Sequence, residues 1–189
     1  MILPVVKYGS PVLRQKGERP KTITPALRQL ILDMFETMYH AKGVGLAAQQ
    51  VGHALQVAVV DVRGMTDRPS TMEIDGQPVD VDAHMPMALV NPDLTPTGDP
   101  IEGAEGCLSF PEIYADIVRP RSVRVKALNG EGRPVEFHCG GLLARAVQHE
   151  TDHLHGILFI DRMSRETKAE LKAELEDLQL ETKALLGKS

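Results

Sequence analysis

The stretch Gln148-His149-Glu150-Thr151-Asp152-His153-Leu154-His155-Gly156 decides how the rest of the chain is read. It contains the pattern H-E-x-x-H in His149, Glu150 and His153. On an α-helix, residues i and i+4 lie one above the other on the same face. His149 and His153 are therefore candidates for two imidazole ligands of one metal ion. Glu150 projects beside them, within reach of a water on the metal but not of the metal itself. The motif reads as hydrolytic metal chemistry. The plain alternative is a helical His-Glu pair on a wet surface, because so short a pattern also arises by chance.

Working outward, Gly140-Gly141 leads into this helix, and Leu142, Leu143, Ala146 and Val147 form its apolar side. Upstream, residues 122–129 turn Val123, Val125 and Ala127 inward. Asn129-Gly130-Glu131-Gly132 makes a turn and residues 134–139 return, which is an antiparallel hairpin. Residues 113–118 and 55–62 are further strands, and 88–91 is a short strand ended by Pro92. Residues 63–87 are a polar excursion with a hairpin around Asp75-Gly76. An N-terminal helix starts at Thr24-Pro25, with Thr as N-cap and Pro at the first helical position. Leu27, Leu30, Ile31, Met34, Phe35 and Met38 follow at helical spacing, and Gly43 is the expected C′ residue. Residues 4–20 read as an extended arm with a turn at Gly9-Ser10-Pro11. Downstream, 157–160 is a buried apolar run read as a strand. Ser164 caps a last helix striped by Leu171, Leu175, Leu178 and Leu185. This order gives an α+β fold with a mainly antiparallel sheet. Residues 1–165 are expected to form the catalytic metallohydrolase domain, and 166–189 a C-terminal helix of the same single domain.

Composition sets outer limits. Hydrophobic residues make up 42% and charged residues 25%, ordinary for a soluble globule, and 189 residues suffice for a sizeable core. The net charge of −5 gives no general basic surface for nucleic acid. The first residues lack a charged segment followed by a long apolar run, so neither a signal peptide nor a membrane span is expected. A cytoplasmic protein with Cys107 and Cys139 reduced is the expectation. With no Trp, the core falls to Leu, Val, Ile, Met and Ala.

A hydrolytic metal site needs a third protein ligand and an open position. The protease extension H-E-x-x-H-x-x-G-x-x-H runs as far as Gly156, but Phe159 stands where its last His belongs, and an apolar ring cannot bind metal. Glu170 and Glu174 stand at a plausible distance downstream, in a Lys/Glu-rich face that reads as solvated. Cys107 lies in Glu102-Gly103-Ala104-Glu105-Gly106-Cys107-Leu108-Ser109-Phe110-Pro111, a glycine-rich approach to a strong soft ligand. An inert buried thiol is the plain reading for a lone Cys; the setting and an otherwise incomplete site favour ligation. Cys139 reads as a small core residue. His40, His53, His84, His138 and His155 read as structural or surface. Gly43-Val44-Gly45-Leu46-Ala47-Ala48-Gln49-Gln50 lacks the third glycine and the Lys-Ser/Thr of a phosphate loop. It reads as a tight segment whose backbone closely approaches something.

Three stretches together resemble peptide deformylase: Gly43-Val44-Gly45-Leu46-Ala47-Ala48-Gln49-Gln50, Glu105-Gly106-Cys107-Leu108-Ser109 and Gln148-His149-Glu150-Thr151-Asp152-His153. They match that family's G-φ-G-φ-A-A-x-Q, E-G-C-φ-S and Q-H-E-x-D-H in the same order. The resemblance spans most of residues 4–165. It implies mixed, mostly antiparallel strands around a central metal-binding helix, with an N-terminal and a C-terminal helix. It implies removal of the N-formyl group from the formyl-methionine that begins nascent polypeptides, with release of formate. Cys107, His149 and His153 would bind one divalent ion, ferrous iron first, with zinc, nickel or cobalt able to take the site. Glu150 would be the general acid/base. The Gln50 amide and the Leu108 N–H would stabilise the oxyanion. Val44, Gly45, Leu142, Arg145 and Ala146 would receive the substrate, the aliphatic stem of Arg145 lining the pocket while its head reaches solvent.

The chain departs from the pattern in places. Tyr114 stands where some members carry an Arg that contacts the peptide, and Arg119 is a candidate substitute. The 63–87 excursion is longer than in compact members. Residues 164–189 hold five basic side chains against six acids, weak support for a transient ribosome contact through a basic C-terminal helix. Neither a membrane nor a specific nucleic-acid sequence is an expected partner. Two other readings remain: a zinc metalloprotease of the H-E-x-x-H type, which makes Glu170 or Glu174 essential, and a non-catalytic structural metal module, which needs His155 or Cys139 as a fourth ligand.

Overall fold

The computed structural model describes residues 1–188. Its elements run α1 (Pro25–His40), β1 (Gly45–Ala47), β2 (Val57–Val60), β3 (Ser70–Ile74), β4 (Gln77–Pro78), β5 (Met87–Cys107), β6 (Phe110–Leu128), β7 (Pro134–Gly140), α2 (Gly141–Leu154), α3 (Arg165–Glu170) and α4 (Lys172–Leu186). The strands form one sheet in the order β1-β2-β5-β6-β7-β3-β4. All pairings between these strands are antiparallel. An isolated parallel bridge joins Glu18 to Leu55.

Helix α1 begins as its sequence dictates, with the Thr24 side chain accepting from the Leu27 N–H at 3.1 Å. Its end differs from expectation. Lys42, not Gly43, takes the left-handed conformation, at φ 58°, and the Gly43 N–H reaches back to the Met38 carbonyl at 3.0 Å. Lys42 is thus C′ and Gly43 is C″ of a Schellman-type end. Leu27, Ile31, Met34 and Met38 bury against Leu46, Val57 and Val59 of β1 and β2.

Strands β5 and β6 are far longer than their sequence suggests. Pro92 does not end β5, which continues through Pro96 and Pro100 to Cys107. Beyond Val90, β5 pairs with β6 alone. A proline lacks an N–H and is tolerated where one side of the strand needs no partner. The register shifts between Val90 and Asp93 and between Thr97 and Pro100 absorb the remaining mismatch. The two expected segments 113–118 and 122–129 are likewise one strand, β6, running through Pro120. The turn between β5 and β6 is tight enough that Cys107 pairs with Phe110.

Helix α2 packs Leu142, Leu143, Ala146 and Val147 against Val60, Val123, Val125 and Phe137 of the sheet. The 63–87 excursion supplies its N-terminal cap. The Pro69 carbonyl accepts from the Leu142 N–H at 3.2 Å, and Ser70 Oγ accepts from the Leu143 N–H at 2.9 Å. Gly141 has φ +67°, and a Cβ there would stand 2.1 Å from the Pro69 carbonyl oxygen. Only glycine permits both this conformation and this approach. The hairpin at Asp75-Gly76 forms as expected between β3 and β4.

Residues 157–160 do not make a strand; Phe159–Asp161 is a single 3₁₀ turn. Phe159 is buried there edge-on to Phe110, with centroids 5.0 Å apart. The last helix is interrupted at Leu171. Leu175 is buried with Phe110 and Phe159, whereas Leu185 is exposed and leaves the expected stripe. The N-terminal arm lies across two site-bearing segments. The Val6 N–H donates to the Gln50 carbonyl at 2.8 Å and the Tyr8 N–H to the Ser109 carbonyl at 2.9 Å. Lys7 Nζ donates to the Leu108 carbonyl at 2.9 Å.

Candidate metal centre

Three segments meet at the candidate site: α2, the tip of the β5–β6 hairpin and the turn after β1. The helix supplies His149 and His153, whose ring centroids are 5.1 Å apart, as spacing by one turn requires. The tip of the β5–β6 hairpin supplies Cys107. The turn after β1 supplies Gln50. One ligand atom each from Cys107, His149 and His153 lie within 4.8 Å of one another. Cys107 Sγ is 3.4 Å from His153 Nε2 and 3.4 Å from Gln50 Nε2.

Each group is oriented by a neighbour. Gln50 Oε1 accepts from the Ala47 N–H at 3.0 Å, and Nε2 donates to Ser109 Oγ at 3.2 Å. His149 Nδ1 lies 2.8 Å from Glu105 Oε1, which leaves its Nε2 as the ring nitrogen available to a metal. Glu105 in turn accepts from Arg119 Nε and Nη2 at 2.6 and 2.9 Å and from Arg145 Nη1 at 2.8 Å. Arg119 also reaches Asp152 at 2.9 Å, and Arg162 holds Asp152 from the outside.

Electrostatics follow from this packing. Burial pushes the Glu105 carboxyl up, but the His149 and Arg119 hydrogen bonds outweigh it and hold it well below the usual carboxylate range. Burial presses His149 toward the neutral form, yet its bonds to Cys107 and Glu105 raise it well above the ordinary histidine value. His153 is pushed well down by burial and by the nearby charges of His149 and Arg119. Burial raises Glu150 to about 7, and its Oε2 is buried with no hydrogen-bond partner among the described residues.

These features fit a metal. A thiolate and two imidazoles are the donor set of zinc- and iron-type sites. A fixed His149 tautomer and an orphaned carboxylate oxygen on Glu150 are what a metal and its water would complete. Among the described residues, no other His, Cys, Asp or Glu joins the cluster. Cys139 is buried in β7 opposite Met72 and Val123, His155 is exposed, and Glu170 and Glu174 are exposed. His40, His53 and His84 are also exposed, and His138 bonds to Thr97.

The cluster opens on a cleft of about 560 Å³. Val44, Gly45, Leu142, Arg145 and Ala146 line it together with Gln50, Cys107, Leu108, His149 and Glu150. Two arginines behave differently from their sequence reading. The Arg145 head does not reach solvent; it turns inward to Glu105 and to the Ile117 and Ile101 carbonyls at 2.9 and 3.0 Å. Arg119 is buried behind the cluster and offers nothing to a bound peptide. Sequence reasoning missed the part Glu105 plays. The available signal was its place two residues before Cys107, since alternate strand residues share a face.

Comparison with known proteins agrees with this geometry. The family described as polypeptide deformylase matches residues 2–169. The chain is 46% identical over 186 residues to a peptide deformylase of Opitutus terrae, covering 97% of this chain and 96% of that one. It is 49% identical over 179 residues to one of Methylacidiphilum infernorum, covering 95% and 94%. The crystal structure of Arabidopsis thaliana peptide deformylase 1B superposes with a TM-score of 0.83 at 35% identity, covering 98% of this chain and 94% of that one. The sheet wrapped on the histidine-bearing helix, the three convergent segments and these relatives lead to one assignment: the chain belongs to the polypeptide deformylase family.

Proposed function

We propose that this protein removes the formyl group from the N-terminal formyl-methionine of nascent polypeptides, releasing formate. The observation that carries the reading is the Cys107–His149–His153 cluster with a buried, half-unpartnered Glu150 beside it. Cys107, His149 and His153 are the proposed ligands of one divalent ion, ferrous iron first, with zinc, nickel or cobalt able to substitute. Such an ion supplies Lewis acidity, polarising an amide carbonyl and lowering the pKa of water toward ~7.

The remaining chemistry belongs to the protein's own groups. Glu150 takes a proton from the attacking water and hands it to the departing amine nitrogen. A carboxyl raised toward neutrality by burial suits both halves of that task. The Gln50 Nε2–H and the Leu108 N–H meet the charge that grows on the formyl oxygen. Gln50 is already aimed by Ala47 and Ser109, so little reorganisation accompanies the reaction. Val44, Leu142, Ala146 and the stem of Arg145 receive the methionine side chain. Gly45 lets the peptide backbone come close, where an extended chain can pair by strand addition.

The C-terminal helix is read as part of the same domain, because Leu175 is buried with Phe110 and Phe159. A cytoplasmic site of action and a transient meeting with the ribosome follow from the substrate. No helix among the described residues is long and apolar enough to cross a membrane. The test is formate release from formyl-Met-Ala by protein prepared anaerobically or with nickel. Metal-loaded protein that releases no formate sinks the reading. Glu150→Ala should keep its metal and lose roughly 10²–10⁴-fold in kcat; a variant that stays active removes Glu150 from the mechanism.

A further inference from the structure

We propose that Arg68 is a specificity-determining residue that favours substrates carrying a carboxylate just downstream of the formylated methionine. The inference deepens the deformylase reading and rests on it. Arg68 belongs to the 63–87 excursion and to none of the three motifs. Its side chain nevertheless lines the same cleft as His149 and Glu150. It is half-buried, and Nη2 donates to the Ala104 carbonyl at 3.0 Å, one residue before Glu105. A guanidinium carries five N–H donors. One bond anchors this one and leaves a fork free to meet a carboxylate. The backbone behind it is fixed, because Pro69 and Ser70 are engaged in capping α2.

Charge at the cleft mouth points the same way. Inside, Glu105 is matched by Arg119 and Arg145. Apart from Glu105 and Arg145, the charged side chains lining the cleft are Lys7, Lys42 and Arg68 against Glu112 and Glu150. This local excess is positive in a chain whose net charge is −5, so composition does not explain it. Low-dielectric walls focus such a field on whatever enters. Lys7 Nζ is drawn to the Leu108 carbonyl beside Cys107 and Lys42 is exposed, so Arg68 is the anchored cation that presents a planar fork suited to a carboxylate. Tyr114, 71% exposed, lies over Gly106 on the cleft lining and adds an uncharged wall. A peptide whose first residue occupies the inner cleft leaves through this mouth, where an acidic side chain gains and a lysine loses. A short peptide's own α-carboxylate offers the same chemistry.

The experiment uses the full chain loaded with nickel. It compares kcat/KM for formyl-Met-Ala-Xaa-amide and formyl-Met-Xaa-Ala-amide with Xaa as Glu, Gln or Lys. In at least one series the Glu peptide should exceed the Lys peptide by about fivefold. The gap should close at about 1 M ionic strength, where the Debye length falls to about 3 Å. Arg68→Ala should bring the Glu/Lys ratio close to one, and Arg68→Glu should invert it. The ratio is taken within one preparation, so partial unfolding of a variant cancels. Comparing formyl-Met-Ala as free acid and as amide tells a terminal carboxylate from an acidic side chain. A Glu/Lys ratio within twofold of one at low salt in both series, or a preference that survives in Arg68→Ala, overturns the proposal. Absence of formate from every peptide would overturn the deformylase reading itself.

Discussion

A missing methyl group governs how Glu150 sits. A Cβ at Gly45 would stand 2.7 Å from Glu150 Oε1 and 2.8 Å from Cγ, inside any real contact. Gly45→Ala must therefore displace the buried carboxylate or the β1 backbone. Displacements near 1 Å at reacting groups cost about 10²-fold, so kcat for formyl-Met-Ala should fall by roughly that factor in steady-state assays. A kcat within twofold of the parent would mean that this contact does not set the carboxylate's position. At this scale the sequence is legible where chemistry is local. His149 and His153 declare themselves through helix spacing, and Cys107 through its glycine-rich setting and the lack of a better third ligand. Arg145 does not. A lone Arg on an apolar helix face ordinarily extends its head to water. Here a buried carboxylate 40 residues away along the chain captures it, and sequence order carries no sign of that meeting.

At the scale of elements, α2 depends on a cap that is remote in sequence. Ser70 lies 73 residues before Leu143, whose N–H it accepts. Ser70→Ala should lower stability by about 1 kcal/mol, read as a few degrees in the thermal midpoint of the metal-loaded protein. An unchanged midpoint would show that water replaces the hydroxyl without loss. The excursion thus has a structural duty that its polar composition hides. Helix starts at Thr24 and Ser164 were readable because capping chemistry is written within three residues. The long strands were not, because proline is a stop signal only where both edges of a strand are paired. Whether β5 has one neighbour or two is a property of the sheet, not of residues 92–100.

At the scale of the molecule, Asp61 ties α1 to the end of β2. It accepts from Tyr39 Oη at 2.6 Å and from the Arg63 side chain at 2.7 Å. Burial pushes its carboxyl up, but these bonds outweigh it and hold it below the usual range. A depressed value in the fold stabilises fully above the unfolded value of about 3.9 and is lost as pH falls through the folded one. Asp61→Asn should therefore lower unfolding free energy more at pH 6 than at pH 3, as measured by urea titration. An equal gap at both pH values would rule out this linkage.

The arm formed by residues 6–8 bonds to both segments that flank the cleft. It works as a clasp, stitching the amide-bearing turn at Gln50 to the thiol-bearing hairpin tip at Leu108 and Ser109. These two pieces of the site come from opposite sides of the excursion, and the clasp holds them in register without touching a ligand. Trimming the first eight residues should leave the helix and its histidines intact. It should loosen the thiol and the amide together, so that chelator strips the metal several-fold faster while circular dichroism changes little. Equal stripping rates would show that the hairpin holds its own tip. The outermost strand of chain is thus a setting for the innermost chemistry, and shortening this protein from its front edge is not a neutral act of engineering.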